Sequence, residues 1–163
     1  MINEDITIVP YSTEYKEYIK SLNFEWLEKY FYVEAGDLEQ LTDPQAHIID
    51  KGGYIYFAKY KEEIVGTSSL MKTGDGEFEL AKMAVTEKFK GLGIGKMLLE
   101  HCIGEATNIK ATKLSLFSNT KLLSAIHIYK KYGFAEVPLP ADIHYERADI
   151  KMEKCLAYLP LNL

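Results

Sequence analysis

Apolar residues in the first part of the chain recur at helical spacing, behind a short run that resembles a strand. Ile6 to Val9 reads as a strand that Pro10 stops, because proline cannot donate a hydrogen bond to a sheet ladder. From Tyr15 to Tyr32 the apolar positions lie three or four residues apart, which predicts a helix. Ser12 or Thr13 is placed to cap that helix with a side-chain oxygen.

The middle of the chain changes to strand patterns separated by turn residues. Gly36 and Asp37 are expected to end the long helix, and a second short helix is expected from Leu38 to Leu41. Two polar turns, at residues 61–63 and 73–76, then separate runs that are rich in strand formers. The sequence predicts three successive antiparallel strands, over Tyr54–Tyr60, Ile64–Met71 and Phe78–Val85.

Helices and strands alternate in the second half. The expected elements are a helix through Ile94 to Ile103, a strand over Leu114–Phe117, a helix over Leu122–Tyr132, and strands over Phe134–Val137 and Tyr145–Met152. The predicted fold is α/β (α+β), a mixed and mostly antiparallel central sheet of about six to seven strands flanked by helices. No linker rich in Gly, Pro or Ser divides the chain, so residues 1–163 are expected to form a single domain.

Composition and charge narrow the function classes. The net charge of −5 argues against binding to a nucleic-acid backbone, which favours a basic face. The N-terminus lacks the basic and apolar regions of a signal peptide, and no apolar run approaches the ~20 residues that span a bilayer, so a cytoplasmic protein without a membrane partner is expected. Cys102 and Cys155 have no metal-ligand spacing, and no metal site is expected.

The strongest chemical motif is a glycine-rich turn between a predicted strand and a predicted helix. Gly91, Gly93 and Gly95 let the backbone approach a ligand closely, and the free N–H groups of the helix start favour a phosphate. Three lysines add positive charge, at Lys88, Lys90 and Lys96. The turn is not a P-loop, because Met97 stands where Ser or Thr is required, and its third glycine comes one residue early for a dinucleotide fingerprint.

Two sequence blocks resemble motifs of the GNAT superfamily of N-acetyltransferases. Residues 85–99 resemble its motif A, Arg/Gln-x-x-Gly-x-Gly/Ala, with Lys90 at the first position followed by Gly93 and Gly95. Residues 124–134 resemble motif B, and they lie one strand downstream, as in the family. The departure at Lys90 keeps the charge but loses the guanidinium fork, which affects one side-chain contact and not the backbone cradle.

The resemblance implies a coenzyme A site. In the family the pyrophosphate lies on the glycine loop, the pantetheine arm runs along the end of the strand that precedes it, and a main-chain N–H near Met83 donates to the acetyl carbonyl. The slot for the arm opens between the strands Phe78–Val85 and Leu114–Phe117. The residues implied to bind acetyl-CoA are Met83, Ala84, Val85, Lys90, Gly91, Leu92, Gly93, Ile94, Gly95, Lys96, Asn119 and Tyr129.

The same resemblance implies the catalytic groups. Tyr129 matches the family's general acid for the leaving thiolate, and the alternative is a core tyrosine that packs on the sheet. Glu79 is the first candidate base, acting directly or through a water, and the alternative is an outward-facing strand residue. Period-two alternation places Glu79 on one face and Lys82 on the other. Asn119 is either a displaced equivalent of a coenzyme A contact or a helix cap.

The acceptor side is less defined in the sequence. Residues that are candidates to line the acceptor pocket are Trp26, Tyr30, His144 and Tyr145, and Glu25, Glu28 or Glu34 would then attract an amine. The resemblance implies acetyl transfer from acetyl-CoA to a primary amine, on a small molecule or a peptide, by direct attack in a ternary complex. The alternatives are a non-catalytic acyl-CoA sensor or interaction module on the same fold, and a nucleotide-binding protein. A homodimer formed through the sheet edges is compatible with the sequence.

Overall fold

The computed structural model describes residues 2–143 and 145–156. Within them one mixed sheet has the order β1-β2-β3-β4-β5-β7-β6. The strands are β1 (Ile6–Pro10), β2 (Tyr54–Tyr60), β3 (Glu63–Gly74), β4 (Glu77–Val85), β5 (Lys113–Ser118), β6 (Ala135–Val137) and β7 (Ile150–Cys155). Neighbouring strands are antiparallel except for the parallel pair β4 and β5. The predicted mixed and mostly antiparallel sheet is confirmed.

Helices cover both faces of this sheet. They are α1 (Lys16–Tyr30), α2 (Ala35–Thr42), α3 (Ile94–Asn108) and α4 (Leu123–Lys131). Ile19 of α1 and Leu41 of α2 pack on one face against Phe57, whereas α3 and α4 pack on the other face, where Leu99 and Ile126 join one apolar core. In the part of the chain that the structure describes, no helix is long and apolar enough to cross a membrane.

The boundary between α1 and α2 differs from the prediction. α1 ends at Tyr30, and Gly36 and Asp37 lie in the first turn of α2 and do not break the preceding helix. A reciprocal capping box sets this start, since the Glu34 carboxylate accepts from the backbone N–H of Asp37 and the Asp37 carboxylate accepts from that of Glu34. At the start of α1 the predicted side-chain cap is wrong, because Ser12 makes no capping hydrogen bond and a short 3₁₀ turn comes first.

The last strand also begins later than predicted. β7 starts at Ile150 and not at Tyr145, and residues 145–149 form an irregular segment. The carboxylate of Glu34 accepts the backbone N–H groups of Glu146 (2.9 Å) and Arg147 (3.3 Å). These bonds draw the segment toward the start of α2, so its backbone is satisfied by a side chain and not by a sheet ladder.

A bulge in β4 changes which way its side chains point. Lys82 has a φ of +53° in the left-handed region, and the pairing with β3 shifts register opposite Ser68. Before the bulge, Leu80 packs toward α3, but after it Ala84 joins the core beneath α1. The predicted alternation is therefore wrong for Lys82, whose ammonium bonds to Asp37 on the α1–α2 face.

Candidate active site

A cleft opens where β4 and β5 separate. The two strands pair only from Glu77 to Glu79 with Lys113 to Ser115, and beyond these residues they diverge. The cavity between them has a volume of about 910 Å³. Its walls are the ends of β4 and β5, the glycine-rich turn with the start of α3, the face of α4, the end of α1 and the segment before β7. The fold thus supplies an elongated site at a gap in its own sheet.

Main-chain groups of β4 line the middle of the cleft. The Thr86 N–H donates to the Val65 carbonyl oxygen (2.9 Å), which places that N–H on the β3 side of the chain. Backbone polar groups alternate sides along a strand, so those of Met83 and Val85 face the opposite side, where β5 has diverged. Both residues line the cleft. They offer the edge of a strand to an extended ligand.

The glycine-rich turn forms a cradle at one end of the cleft. Gly91 and Gly93 have φ values of +80° and +85°, which are strained for other residues, and a Cβ atom on either would contact nothing within 4 Å. The first helical bond of α3 runs from the Met97 N–H to the Gly93 carbonyl (3.1 Å). The N–H groups of Ile94, Gly95 and Lys96 precede that bond, so they have no partner within the helix and are placed where an anion could bind.

Tyr129 projects from α4 into the same cleft. Its ring contacts Phe134 with centroids 6.0 Å apart, and its hydroxyl has no hydrogen-bond partner among the described residues. Burial raises the pKa of this hydroxyl above its usual value near 10. The phenol therefore stays protonated across the physiological range and is free to donate to a ligand.

Glu79 and Tyr145 form a buried pair at the other end. Glu79 is only 4% exposed, and the Tyr145 hydroxyl donates to its Oε2 at 3.1 Å. Burial, and next the negative charge of Glu79, raise the pKa of Tyr145 well above its usual value. The carboxylate is consequently held in place by a phenol that remains a donor. Strand pairing puts Glu79 at the last residue of β4 before the strands separate.

A buried ion cluster supports this end of the cleft. The Asp37 carboxylate, at 0% exposure, accepts both Nη atoms of Arg147 (2.6 and 3.0 Å) and the Lys82 Nζ (2.7 Å). Arg147 also bonds to Glu34 at 3.0 Å. Burial lowers the pKa of Lys82, an effect that the charge of Asp37 opposes. Burial alone would raise the pKa of Asp37, but the bonds from Arg147 and the charge of Lys82 outweigh it and lower that pKa.

Aromatic rings and the Arg147 guanidinium form a continuous wall above this cluster. The guanidinium carbon lies 5.9 Å from the Trp26 ring and 4.7 Å from the Tyr145 ring. Trp26 contacts Phe31 at 6.0 Å between centroids, and Tyr145 contacts Phe117 at the same distance. Two carboxylates compensate the charge of Arg147, and its planar guanidinium packs against the rings of Trp26 and Tyr145.

The structure brings most of the predicted site residues together. Those that line the cleft are Trp26, Tyr30, Glu79, Met83, Ala84, Val85, Lys90, Gly91, Gly93, Ile94, Gly95, Lys96, Asn119, Tyr129 and Tyr145. Leu92 is not among the lining residues, and its side chain is 39% exposed. His144 lies outside the described residues. Glu25 is bonded to Thr86 and to the N–H of Glu87, and Glu34 holds Arg147.

Asn119 lines the cleft, but it does not cap α4. Its amide donates to the Arg147 carbonyl (2.7 Å), and its Oδ1 accepts from the Lys121 N–H (2.9 Å). α4 instead has Leu122 at its N-cap position, where no side chain can cap. The cap alternative is therefore wrong. The Asn119 side chain bonds instead to the turn before α4 and to the segment before β7.

Four residues of the site were not predicted from the sequence. They are Asn23, Asp37, Lys82 and Arg147. They lie on four different parts of the chain, namely α1, α2, β4 and the segment before β7, and the bulge reverses the side of the sheet on which Lys82 is expected. The one available signal was the sequence Leu80-Ala81-Lys82-Met83, in which a lysine interrupts an otherwise apolar strand.

A sequence profile described as the acetyltransferase (GNAT) family matches residues 15–134, and the chain belongs to that family. An N-acetyltransferase of Dictyostelium discoideum, itself described as uncharacterised, is 38% identical over 58 residues. That match spans 36% of this chain and 27% of the Dictyostelium protein.

Solved structures share the fold across nearly the whole chain. A GNAT acetyltransferase from Staphylococcus aureus Mu50 superposes with a TM-score of 0.83 at 24% identity, covering 93% of this chain and 99% of that one. The PaiA N-acetyltransferase of Thermoplasma acidophilum, crystallised with coenzyme A, superposes with a TM-score of 0.74 at 19% identity, covering 92% and 98%. At these identities the likeness concerns the fold.

Proposed function

We propose that the protein is an acetyl-CoA-dependent N-acetyltransferase that moves the acetyl group to a primary amine by direct attack in a ternary complex. The observation that carries the proposal is the cleft itself. It joins a phosphate-type cradle, at the start of α3, to exposed strand backbone at Met83 and Val85, and then to the carboxylate of Glu79.

The described residues fit coenzyme A. A Cβ atom at Gly91 or Gly93 would meet no neighbour within 4 Å, so space for a diphosphate lies next to the free N–H groups of α3. Lys90 and Lys96 line the same end and add positive charge. Main-chain groups of Met83 and Val85 are available to the amides of a pantetheine arm. When bound, acetyl-CoA supplies the thioester; the protein supplies position and charge.

Three groups then assist the transfer. The Met83 N–H donates to the acetyl oxygen and stabilises the negative charge that develops as the amine attacks. Glu79, directly or through a water, accepts the proton that the amine loses as the carbon–nitrogen bond forms. Tyr129 gives its hydroxyl proton to the sulfur as the carbon–sulfur bond breaks, and its raised pKa keeps that proton available.

The acceptor is expected to enter from the aromatic end of the cleft. Trp26 and Tyr145 provide apolar walls there, and Glu79 favours an approaching ammonium group. Tyr30 lines the cleft nearer the glycine-rich turn, where the Lys90 Nζ lies 5.4 Å from its ring centroid. This chemistry suits an amine on a small molecule or on a peptide, without a nucleic-acid or membrane partner. We expect the reaction to take place in the cytoplasm.

The test is release of coenzyme A thiol from acetyl-CoA across a panel of amines. It is run on Cys155→Ser, because the exposed Cys155 thiol would itself react with the detecting reagent. Tyr129→Phe in this background is expected to lower kcat by about 100-fold while coenzyme A affinity stays within about twofold. Tyr132→Phe is the matched control, because the Tyr132 hydroxyl bonds to Glu100 on the exterior and its loss should leave kcat unchanged.

Three results would contradict the proposal. Unchanged turnover in Tyr129→Phe would remove the assigned acid. Tight coenzyme A binding without thiol release from any amine would point to a sensor on the same fold. Calorimetric binding of ATP in preference to coenzyme A would point to a nucleotide-binding protein.

A further inference from the structure

The aim of the Met83 N–H depends on the peptide unit that it shares with Lys82. In a trans peptide the carbonyl oxygen of one residue and the N–H of the next point in opposite directions. Whatever holds the Lys82 carbonyl therefore also sets the direction of the Met83 N–H. This peptide lies in the bulge of β4, where no regular ladder fixes it.

Asn23 of α1 holds that carbonyl. Its Nδ2 donates to the Lys82 oxygen at 3.3 Å and to the Ile19 oxygen at 2.8 Å. Its Oδ1 accepts the Trp26 Nε1–H at 3.3 Å. Asn23 is 1% exposed, so the amide cannot exchange these partners for water. The contact ties helix α1 to the bulge of β4.

The side chain of Lys82 is tied at its other end. Its Nζ bonds to the buried Asp37 at 2.7 Å, so the residue is held both at its carbonyl and at its ammonium. A left-handed conformation costs a non-glycine residue on the order of 1 kcal/mol. The two ties oppose that cost and keep the bulge in one conformation.

Two observations restrict the direction of the Met83 N–H. The Lys82 carbonyl faces α1, so the N–H faces away from α1. Counting back along β4 from the Thr86 N–H, which donates to β3, also places Met83 on the side where β5 has diverged. The N–H therefore points neither toward α1 nor toward β3, and the side that remains is the cleft, which Met83 lines.

We infer that Asn23 is a positioning residue, which aims the Met83 N–H at the acetyl carbonyl by holding the Lys82–Met83 peptide in the bulge. The inference rests on the proposed function, because it assumes that an acetyl thioester occupies the cleft. Asn23 makes no contact with the reacting atoms in this scheme and acts only through the peptide that it holds.

The first measurement needs no acceptor amine. Infrared difference spectroscopy of acetyl-CoA labelled with ¹³C at the carbonyl reports the hydrogen bond to the bound thioester directly. In the wild-type protein the carbonyl band should lie below that of free acetyl-CoA. In Asn23→Ala it should move back toward the free position. Asn23→Ser is a second variant with a smaller cavity. Ile19→Val is the control, since Ile19 is equally buried one turn earlier on α1 and makes no side-chain bond to the bulge.

The second measurement separates positioning from stability. With an active amine, Asn23→Ala should lower kcat by about tenfold or more while the KM for acetyl-CoA changes by less than about twofold, because a misdirected donor weakens the transition state and not cofactor binding. Ile19→Val should keep both values.

An Asn23→Ala protein that matches Ile19→Val in kcat and in the carbonyl band overturns the inference while leaving the proposed function intact. A wild-type band at the free position refutes the carbonyl contact on which both rest, and absence of thiol release alone counts only against the proposed function.

Discussion

The buried cluster of Asp37, Lys82 and Arg147 gives a sharp prediction about stability. Asp37→Asn keeps the shape of the side chain but removes the charge that two cations share, leaving Lys82 and Arg147 in a site with almost no solvent. Breaking a buried pair in this way costs about 3–5 kcal/mol of the free energy of unfolding. For a chain of this size that corresponds to a fall of roughly 10 °C in Tm.

Urea denaturation followed by Trp26 fluorescence measures this change. Glu62→Gln is the matched control, since it makes the same acid-to-amide change in an exposed pair with Lys59, and its effect should lie within experimental error. In a Lys82→Met background, Asp37→Asn removes a carboxylate only from Arg147, which keeps its bond to Glu34, so the cost should fall by about 1.5 kcal/mol or more. The difference between the two costs measures the coupling of Asp37 to Lys82.

Acid should remove the same contribution from the wild-type protein. The pKa of Asp37 is lowered on folding, so its stabilisation is complete above the ordinary Asp pKa of about 4 and is lost as the pH falls through the lowered value. The difference between wild type and Asp37→Asn should therefore shrink on acidification. A loss below about 1 kcal/mol at neutral pH, or equal costs of Asp37→Asn with and without Lys82, would show that these charges are solvated or uncoupled.

Two further predictions concern single residues. Gly93→Ala should lower the free energy of unfolding by about 1–2 kcal/mol and weaken coenzyme A binding, because the φ of +85° at Gly93 disfavours a side chain although space is available. Gly104→Ala inside α3 should instead raise the free energy of unfolding by about 1 kcal/mol. Equal effects of the two variants, measured by thermal unfolding and by calorimetry with coenzyme A, would contradict this reasoning. Ellman's reagent should modify only Cys155 in the native protein at pH 8, because burial raises the pKa of Cys102 to about 12. Fast reaction of both thiols would show that the reagent reaches the core beneath α3.

The fold was predictable where local patterns agree with the tertiary structure. The run from Tyr54 to Tyr60 matches β2 at both ends, and the glycine turn before Ile94 marks the start of α3. The predicted element boundaries were wrong at residues 31–37 and 145–149, where side-chain carboxylates accept hydrogen bonds from backbone N–H groups. Glu34 accepts backbone N–H groups in both segments. Its capping role at α2 has a recognisable residue spacing, but its bonds to the segment before β7 have no sequence pattern.

The candidate site divides in the same way. The end with the glycine-rich turn follows from contiguous motifs, so the residues from Lys90 to Lys96 and Tyr129 were predicted from the sequence, and all of them except Leu92 line one cleft. The end beside Glu79 is built from several separate elements and depends on one bulge at Lys82. A single extra residue in β4 reverses the side-chain alternation, and the sequence has no marker for it beyond a lysine in an apolar run.

The short parallel contact between β4 and β5 has a mechanical consequence. The sheet consists of two antiparallel halves. Among the described residues, their backbone pairing is confined to Glu77–Glu79 with Lys113–Ser115 and to the N–H groups of Thr112 and Lys113, which donate to the Gly76 carbonyl. A molecule bound between the diverging ends of β4 and β5 would contact both halves of the sheet at once. At a hundredfold excess over its Kd, such a molecule adds about 2.7 kcal/mol to the stability of the whole chain.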